Sequence, residues 1–387
     1  KGGGEAAMRV VGGPAGDAAK AAAYVDEVVN KHKKRLTLIS SLGDVDPQSA
    51  LLLLTYCAVP RLHFLLQMVP YDLAQDGFRE GYNDILNAWR LITDISEEEF
   101  ARPLVAGRVA LPWRWGGQAI TDPETVADAA LVSCWAACAP FLANTSPALY
   151  NIGEEAGGVG PRWGYLQPAW ERVLASGDEE KLILPVFQDS AYMEYRKGTQ
   201  RALSATRHAR DFTNLHTKAV VDGLLVEATA MQSLSGEGAT AWHQVIPFAE
   251  FAVLAPSSTR TAIRFELNLP HHALERAAAE GARCHCCGKR YTEDAVHHVL
   301  TVPKGNSGGN RYMSHNKLLH QVAVICEEAG CTISKRCAGL LGPDPARGPR
   351  HRGDKIMDIS IVGLRNNVTR VLGDVRITHP IGGSEPV

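Results

Sequence analysis

Cys284-His285-Cys286-Cys287-Gly288 is followed nine residues on by His297-His298. Two cysteines separated by two residues can aim both sulfurs at one ion, and an imidazole after a short loop adds a third ligand to a tetrahedral zinc centre. Cys284, Cys287 and His297 are the expected ligands, with His298 as the alternate third. The fourth position is open to Cys286, His285 or His315. The same thiols also fit free cysteines beside a loop. Further on, Asp354, Asp358 and Asp374 cluster in a segment that reads as two strands. A metal-stapled knuckle leading into carboxylates points toward a nucleic-acid enzyme or its remnant.

Charge is distributed in keeping with that direction. The whole chain of 387 residues has a formal net charge of −2, but residues 281–380 hold 15 Lys and Arg against 8 Asp and Glu. A basic C-terminal third suits a phosphate-backbone partner, because neutralising phosphates releases counterions. It also fits an ordinary solvated surface. Nine cysteines, an odd number, and the absence of a visible signal peptide argue for a reducing compartment, nuclear or cytoplasmic. The most apolar stretch, 49–70, is interrupted by Pro60, Arg61, His63 and Gln67. An arginine at mid-bilayer is costly, so this is expected to be a buried helical hairpin and no membrane partner is expected.

The elements that must carry these residues are mainly helical. An amphipathic helix is predicted over 17–42, followed by helices over 47–58, from Pro60, and over 76–98. Leu111–Gly117 reads as an irregular hinge. Asp122 and Pro123 have the types expected of an N-cap and first turn, opening an Ala-rich helix through Cys138. After a Gly/Pro-rich loop over 150–168, helical patterns return over 168–177 and 190–232, with a turn at Ser235–Gly238. The stretch 263–267 alternates, yet fits a helix turn as well. A helix is predicted from His315 to Gly330, then a β-hairpin of 356–362 and 368–378 turning at Asn366-Asn367.

Taken in order, these landmarks resemble the C-terminal portion of the reverse-transcriptase-like proteins of non-LTR retrotransposons that carry a restriction-like endonuclease. Val10–Gly16 resembles the Gly motif entering that family's thumb, and Ala50–Pro70 its helical pair. Leu111-Pro112 with Gly116-Gly117 resembles its connector. Ser235-Gly236, Ala241-Trp242 and Pro247 resemble a following conserved segment. Cys284, Cys287-Gly288 and His297-His298 resemble its zinc knuckle, and His315-Asn316 the start of its nuclease helix. The resemblance implies a mainly α chain with a small C-terminal α/β part. It implies a thumb-like helical region (1–110), a helical connector (111–280), a zinc-knuckle-like segment (281–314) and a partial restriction-like endonuclease segment (315–387). DNA and/or RNA are the implied partners, with no small-molecule cofactor.

In such nucleases two acids on adjacent strands hold Mg²⁺ and a lysine helps activate water. The resemblance assigns the acids to Asp358 and Asp374, with Asp354 a rival for the first and Glu327 or Glu328 a possible third carboxylate. Arg376 stands where many such enzymes place lysine. Several features depart from the family pattern. No Tyr/Phe-x-Asp-Asp polymerase motif occurs in the 387 residues, Val302 occupies the place of a fourth zinc ligand, and Ser314 replaces an arginine. A downstream catalytic lysine is also missing from the sequence. The expectation is therefore a fragment or remnant of a retrotransposon polyprotein. The alternatives are a catalytically silent, zinc-stabilised nucleic-acid-binding protein and a helical protein-interaction module. The Lys31–Arg35 run fits either a template backbone contact or a solvated helix end. Trp113-Arg114-Trp115 fits either base stacking or buried packing. His208, His216 and His243 carry no assigned role.

Overall fold

A computed structural model describes residues 8–10, 13–15, 18–145, 166–175, 199–236, 238–247, 253–283, 290, 332–337, 357–362 and 370–373. The described part is mainly helical. The chain divides into two compact units, Lys1–Leu269 and Pro270–Val387.

The first unit opens with a two-stranded antiparallel ribbon, β1 (Met8–Val10) and β2 (Gly13–Ala15). Helix α1 (Ala18–Gly43) follows. Its Val25, Val29 and Leu36 are buried at helical spacing, and His32 falls on the same stripe, 6% exposed. Asp46 caps α2 (Pro47–Leu53), accepting from the Ser49 amide at 3.0 Å, with Pro47 in the first turn. The helix then widens into a π turn, Leu54–Ala58, before α3 (Val59–Leu65). Pro60 explains the widening. It has no N–H to offer the Tyr56 carbonyl and its ring crowds that oxygen, and the Val59 amide reaches back instead to the Leu54 carbonyl.

Helix α4 (Gln75–Thr93) packs along α1. The close approach depends on Gly77 and Gly81. A Cβ on Gly77 would stand 2.6 Å from Asp26 Oδ1, and one on Gly81 3.0 Å from Val29 Cγ2 and 3.2 Å from Leu62 Cδ1. Asp94 ends α4 in the left-handed conformation, φ 55°. A reciprocal capping box then starts α5 (Glu97–Phe100). Ser96 Oγ accepts from the Glu99 amide, and Glu99 accepts from the Ser96 amide. Helix α6 (Val105–Ala110) leads into a 3₁₀ turn, Trp113–Trp115, where the sequence suggested only a hinge.

Asp122 accepts from the Glu124 amide at 2.9 Å and opens α7 (Pro123–Thr145), as its residue type indicates. α8 (Leu166–Ala175) and α9 (Thr199–Val221) both pack on α7. The pattern read as one helix to residue 232 is broken at Gly223, φ 75°, and resumes as α10 (Leu225–Leu234). The ambiguous 263–267 stretch belongs to α11 (Pro256–Glu266). The main core joins α1–α4, α6, the start of α7 and α11, with Phe78, Trp89 and Ile263 fully buried. It therefore runs across position 110/111, where a boundary between two helical regions is expected from sequence, and joins residues from both sides in one apolar interior. A second cluster places Trp170 of α8 and Leu203 of α9 against Val132 of α7.

In the second unit α12 (His272–Ala279) precedes a three-stranded antiparallel sheet. The sheet consists of β3 (Thr332–Cys337), β4 (Met357–Val362) and β5 (Arg370–Gly373), with β4 in the middle. β4 and β5 pair antiparallel, as the hairpin pattern indicates. β3 was not foreseen. The sequence analysis assigns no element to this stretch, in which Lys335 and Arg336 interrupt the apolar alternation. No described helix is long and apolar enough to cross a membrane.

Candidate nucleic-acid interface

The π turn places Tyr56 and Cys57 outside the core, 56% exposed in the case of Tyr56. One helical turn later α3 carries Arg61 and Phe64 on the same side, and Phe64 is 51% exposed. Across from them α1 presents Tyr24, Lys31 and Arg35, a stripe adjacent to its core stripe. Together these residues line a groove of about 490 Å³. Three aromatic rings and three cations face it, and no carboxylate is among its lining residues.

The charges of the Lys31–Arg35 run separate by helix face. Lys33 turns to α4, paired with Glu80 and lying 3.7 Å from Asp84. Lys31 pairs with Glu27 one turn back, so its charge is partly offset. Arg35 and Arg61 have no ion-pair partner among the described residues. Between them His32 is buried, and its pKa is driven down to about 4 by desolvation first and then by Arg61 and Arg35. Arg35 and Arg61 are thus two fixed positive charges without an ion-pair partner among the described residues, beside an imidazole they help keep neutral, where an anion would be favoured.

A row of rings connects this groove to a buried polar hub. Tyr56 meets Trp113 edge-on at 5.6 Å, and Trp113 stacks over His243 at 5.9 Å. His243 in turn stacks on Trp242 at 3.9 Å. Thr240 Oγ1 donates to the Trp113 carbonyl at 2.8 Å. The hub is the Glu266 carboxylate, at the end of α11. It accepts from Trp242 Nε1 at 2.7 Å and Gln118 Nε2 at 2.9 Å, and His243 Nε2 lies 2.8 Å away. Arg108 Nη2 donates to the Glu266 carbonyl, while its Nε and Nη1 have no hydrogen-bond partner among the described residues. Burial draws that guanidinium down to about 10, against the opposing pull of Glu266 and Glu227.

The two glycines of the 111–117 segment have specific duties here. Gly116 adopts φ 72°, and a Cβ on Gly117 would lie 2.0 Å from the Leu111 carbonyl oxygen. The structure therefore brings together two segments, 111–118 and 240–243, that the sequence presents far apart. His243, assigned no role from sequence, belongs to this hub. His208 is likewise buried, its pKa lowered to about 4 by desolvation, then by Arg114 and His63.

The residues singled out from sequence fall differently. Cys284, Cys287, His297 and Asp374 lie outside the described residues, as do His298, His315, Asp354 and Arg376. Asp358 is the second residue of β4. Among the described residues no group of three or more His, Cys, Asp or Glu side chains is placed to hold a metal. One backbone contact bears on the cysteine stretch: Arg283 and Arg290 form an isolated antiparallel bridge. The groove residues Tyr24, Tyr56, Arg61 and Phe64 were missed by sequence reasoning. Their signal was the helical spacing of Tyr24, Val28, Lys31 and Arg35, matched by Cys57, Arg61 and Phe64. No family model matches the chain, and no curated protein matches it.

Proposed function

We propose that this chain is a polynucleotide-binding portion of a retrotransposon reverse transcriptase/endonuclease, comprising thumb, connector, zinc-knuckle and nuclease-derived segments. The observation that carries the proposal is the groove between α1 and α3, where Arg35 and Arg61 stand beside exposed rings with no carboxylate among the lining residues. Cations that track a phosphate backbone, interleaved with aromatic faces, are what nucleic acid requires of a surface.

Two further observations support the reading. The Arg283–Arg290 bridge brings both ends of the intervening six residues, Cys284 to Lys289, side by side. An antiparallel bridge flanking the cysteines suits a knuckle in which Cys284 and Cys287 grip zinc with His297. Zinc there would supply folding energy to its loop. In the sheet, the last pair of the β4–β5 ladder is Ile359 with Gly373. Asp358 and Asp374 each adjoin that pair in sequence, and opposed residues of antiparallel strands stand about 5 Å apart at Cβ. Carboxylates at such a separation can share one Mg²⁺, the role proposed for Asp358 and Asp374.

The test is binding of DNA and RNA across a salt series. Wild-type protein is expected to bind with log Kd rising linearly in log salt. Arg35→Gln and Arg61→Gln should each weaken binding and reduce the slope by about 1, the loss of one phosphate contact. Absence of binding to every polynucleotide, or a slope indifferent to both variants, overturns the proposal.

A further inference from the structure

We infer that the α1–α3 groove is a single-strand site, in which one unpaired base lies against Tyr56 and Phe64 while the adjoining phosphate is held by Arg35 and Arg61. The inference rests on the polynucleotide-binding reading above and adds the strand state of the ligand.

The argument starts from the rings. Tyr56 and Phe64 are both more than half exposed, at 56% and 51%. Exposed rings of this size lose contact with water most favourably by stacking on another flat apolar face. Bases within a duplex already have both faces covered by their neighbours, so such rings discriminate for unpaired nucleotides. The groove is also a recess and not a flat platform. Its volume of about 490 Å³ lies in the range that holds a small ligand, roughly 300 to 1,000 Å³. A recess of that scale admits a splayed nucleotide more readily than the smooth flank of a double helix.

The cations are placed for a single backbone. Arg35 comes from α1 and Arg61 from α3, one from each wall, and both act on the buried His32 between them. A phosphate seated there would meet guanidinium groups from two directions, and guanidinium forks match phosphate oxygens in pairs. The π turn makes the arrangement possible. A regular helix through residues 54–58 would turn Tyr56 and Cys57 by a different angle relative to Arg61, and π turns recur at functional sites for this reason. Tyr56 also touches Trp113 at 5.6 Å, and Trp113 is itself part-exposed. A second base on the same strand would find this ring next along the row.

The experiment uses the full chain and fluorescence anisotropy with three probes, roughly 12 nucleotides or base pairs long, a length spanning one such site. They are oligo(dT), oligo(U) and a mixed-sequence DNA duplex. Tyr56→Ala and Phe64→Ala are each expected to weaken single-strand binding about 10-fold and leave duplex binding within about 2-fold, since one stack is lost. Tyr56→Phe should restore single-strand binding, and the two single-stranded probes tell whether the sugar matters. Arg61→Gln should weaken all three probes. Far-ultraviolet circular dichroism checks that each variant retains its helices. As a second readout, an oligonucleotide carrying one 5-iodouracil should photocrosslink to Tyr56 or Phe64, mapped by mass spectrometry. Equal loss on single strands and duplex in Tyr56→Ala, or no loss on either with crosslinks elsewhere, overturns the single-strand assignment while leaving polynucleotide binding intact. Failure of all three probes to bind removes the broader proposal with it.

Discussion

The two units of this chain draw on different sources of stability. In residues 1–269 the described residues form three apolar clusters, the largest joining α1–α4, α6, the start of α7 and α11, and buried polar groups such as Glu99, Arg264 and Thr93 are partnered by cap, ion pair or carbonyl. In residues 270–387 the described elements are one short helix and three strands of four to six residues, within a sequence in which cations outnumber anions. Small β-sheets with short strands gain little from burial alone, and like charges oppose compaction. The comparison sets a first unit whose described residues are held together by packing beside a second for which the proposed metal ion or polyanion would be an added source of stability.

Metal removal gives the largest expected effect. If Cys284, Cys287 and His297 hold zinc, the apparent binding free energy of such sites, of order 10 kcal/mol, is folding energy. Roughly one zinc per chain should be found by metal analysis and be lost in the Cys284→Ser/Cys287→Ser variant. Chelation should abolish amide-exchange protection in β3, β4 and β5 and leave that of α1 and α4 unchanged. Retained protection in the sheet of a demonstrably metal-free protein would break the contrast between the units.

Next in size is a buried charge pair inside the first unit. Arg264 pairs with Glu99, their side chains 6% and 11% exposed, and Arg264 Nη1 donates to the Asp94 carbonyl at 3.0 Å. Glu99 also closes the capping box of α5. Removing one member of such a pair leaves the other buried without its counter-charge, a cost of about 3–5 kcal/mol. Glu99→Gln should therefore lower the unfolding free energy of the first unit by that amount, read from its denaturant midpoint and slope, and spare the second. A loss under about 1 kcal/mol, typical of exposed pairs, would mean that the packed unit does not depend on this lock.

Acid should act on the first unit in a definite direction. His32 and His208 both titrate near 4 in the folded state against 6.5 unfolded, and burial lowers His63 as well. Above 6.5 both states are neutral and nothing is gained or lost. As pH falls from 6.5 toward 4 the unfolded chain takes up protons that the folded chain refuses, so stability falls with it. Asp122 and Asp211, raised by burial, oppose this only as the solution nears their own titration. Thermal melts over this window should show the decline, and His208→Gln should flatten it. A melting temperature constant from pH 7 to 4 would contradict the burial of these imidazoles.

What the sequence revealed follows the same division. Helix positions in the first unit were legible because caps such as Asp122 and the 3.6-residue apolar stripe act locally. The π turn at Leu54–Ala58 was not, although Pro60 was its cause, because a proline after an apolar run reads as a simple break. The Glu266 hub was hidden for another reason: Gln118, Trp242, His243 and Glu266 are far apart in sequence and only the packing of α11 unites them. In the second unit the β4–β5 pair showed through its alternation. β3, with Lys335 and Arg336 in its centre, did not, since the charges mask the period of two.

The smallest expected effect is on DNA cleavage. If Asp358 and Asp374 hold Mg²⁺ as proposed, metal binding is still only part of hydrolysis. A water must also be deprotonated or oriented, and Arg376, two residues beyond Asp374, is a group that stays protonated at any working pH. It can attract a phosphate but cannot take a proton from water. Supercoiled plasmid with Mg²⁺ should therefore be nicked at or near background, and Arg376→Lys should raise the rate if the aspartates are correctly paired. Robust nicking by the unaltered chain, abolished in Asp374→Ala, would show the second unit to be catalytically complete. It would then owe its basic character to substrate turnover and not to holding nucleic acid.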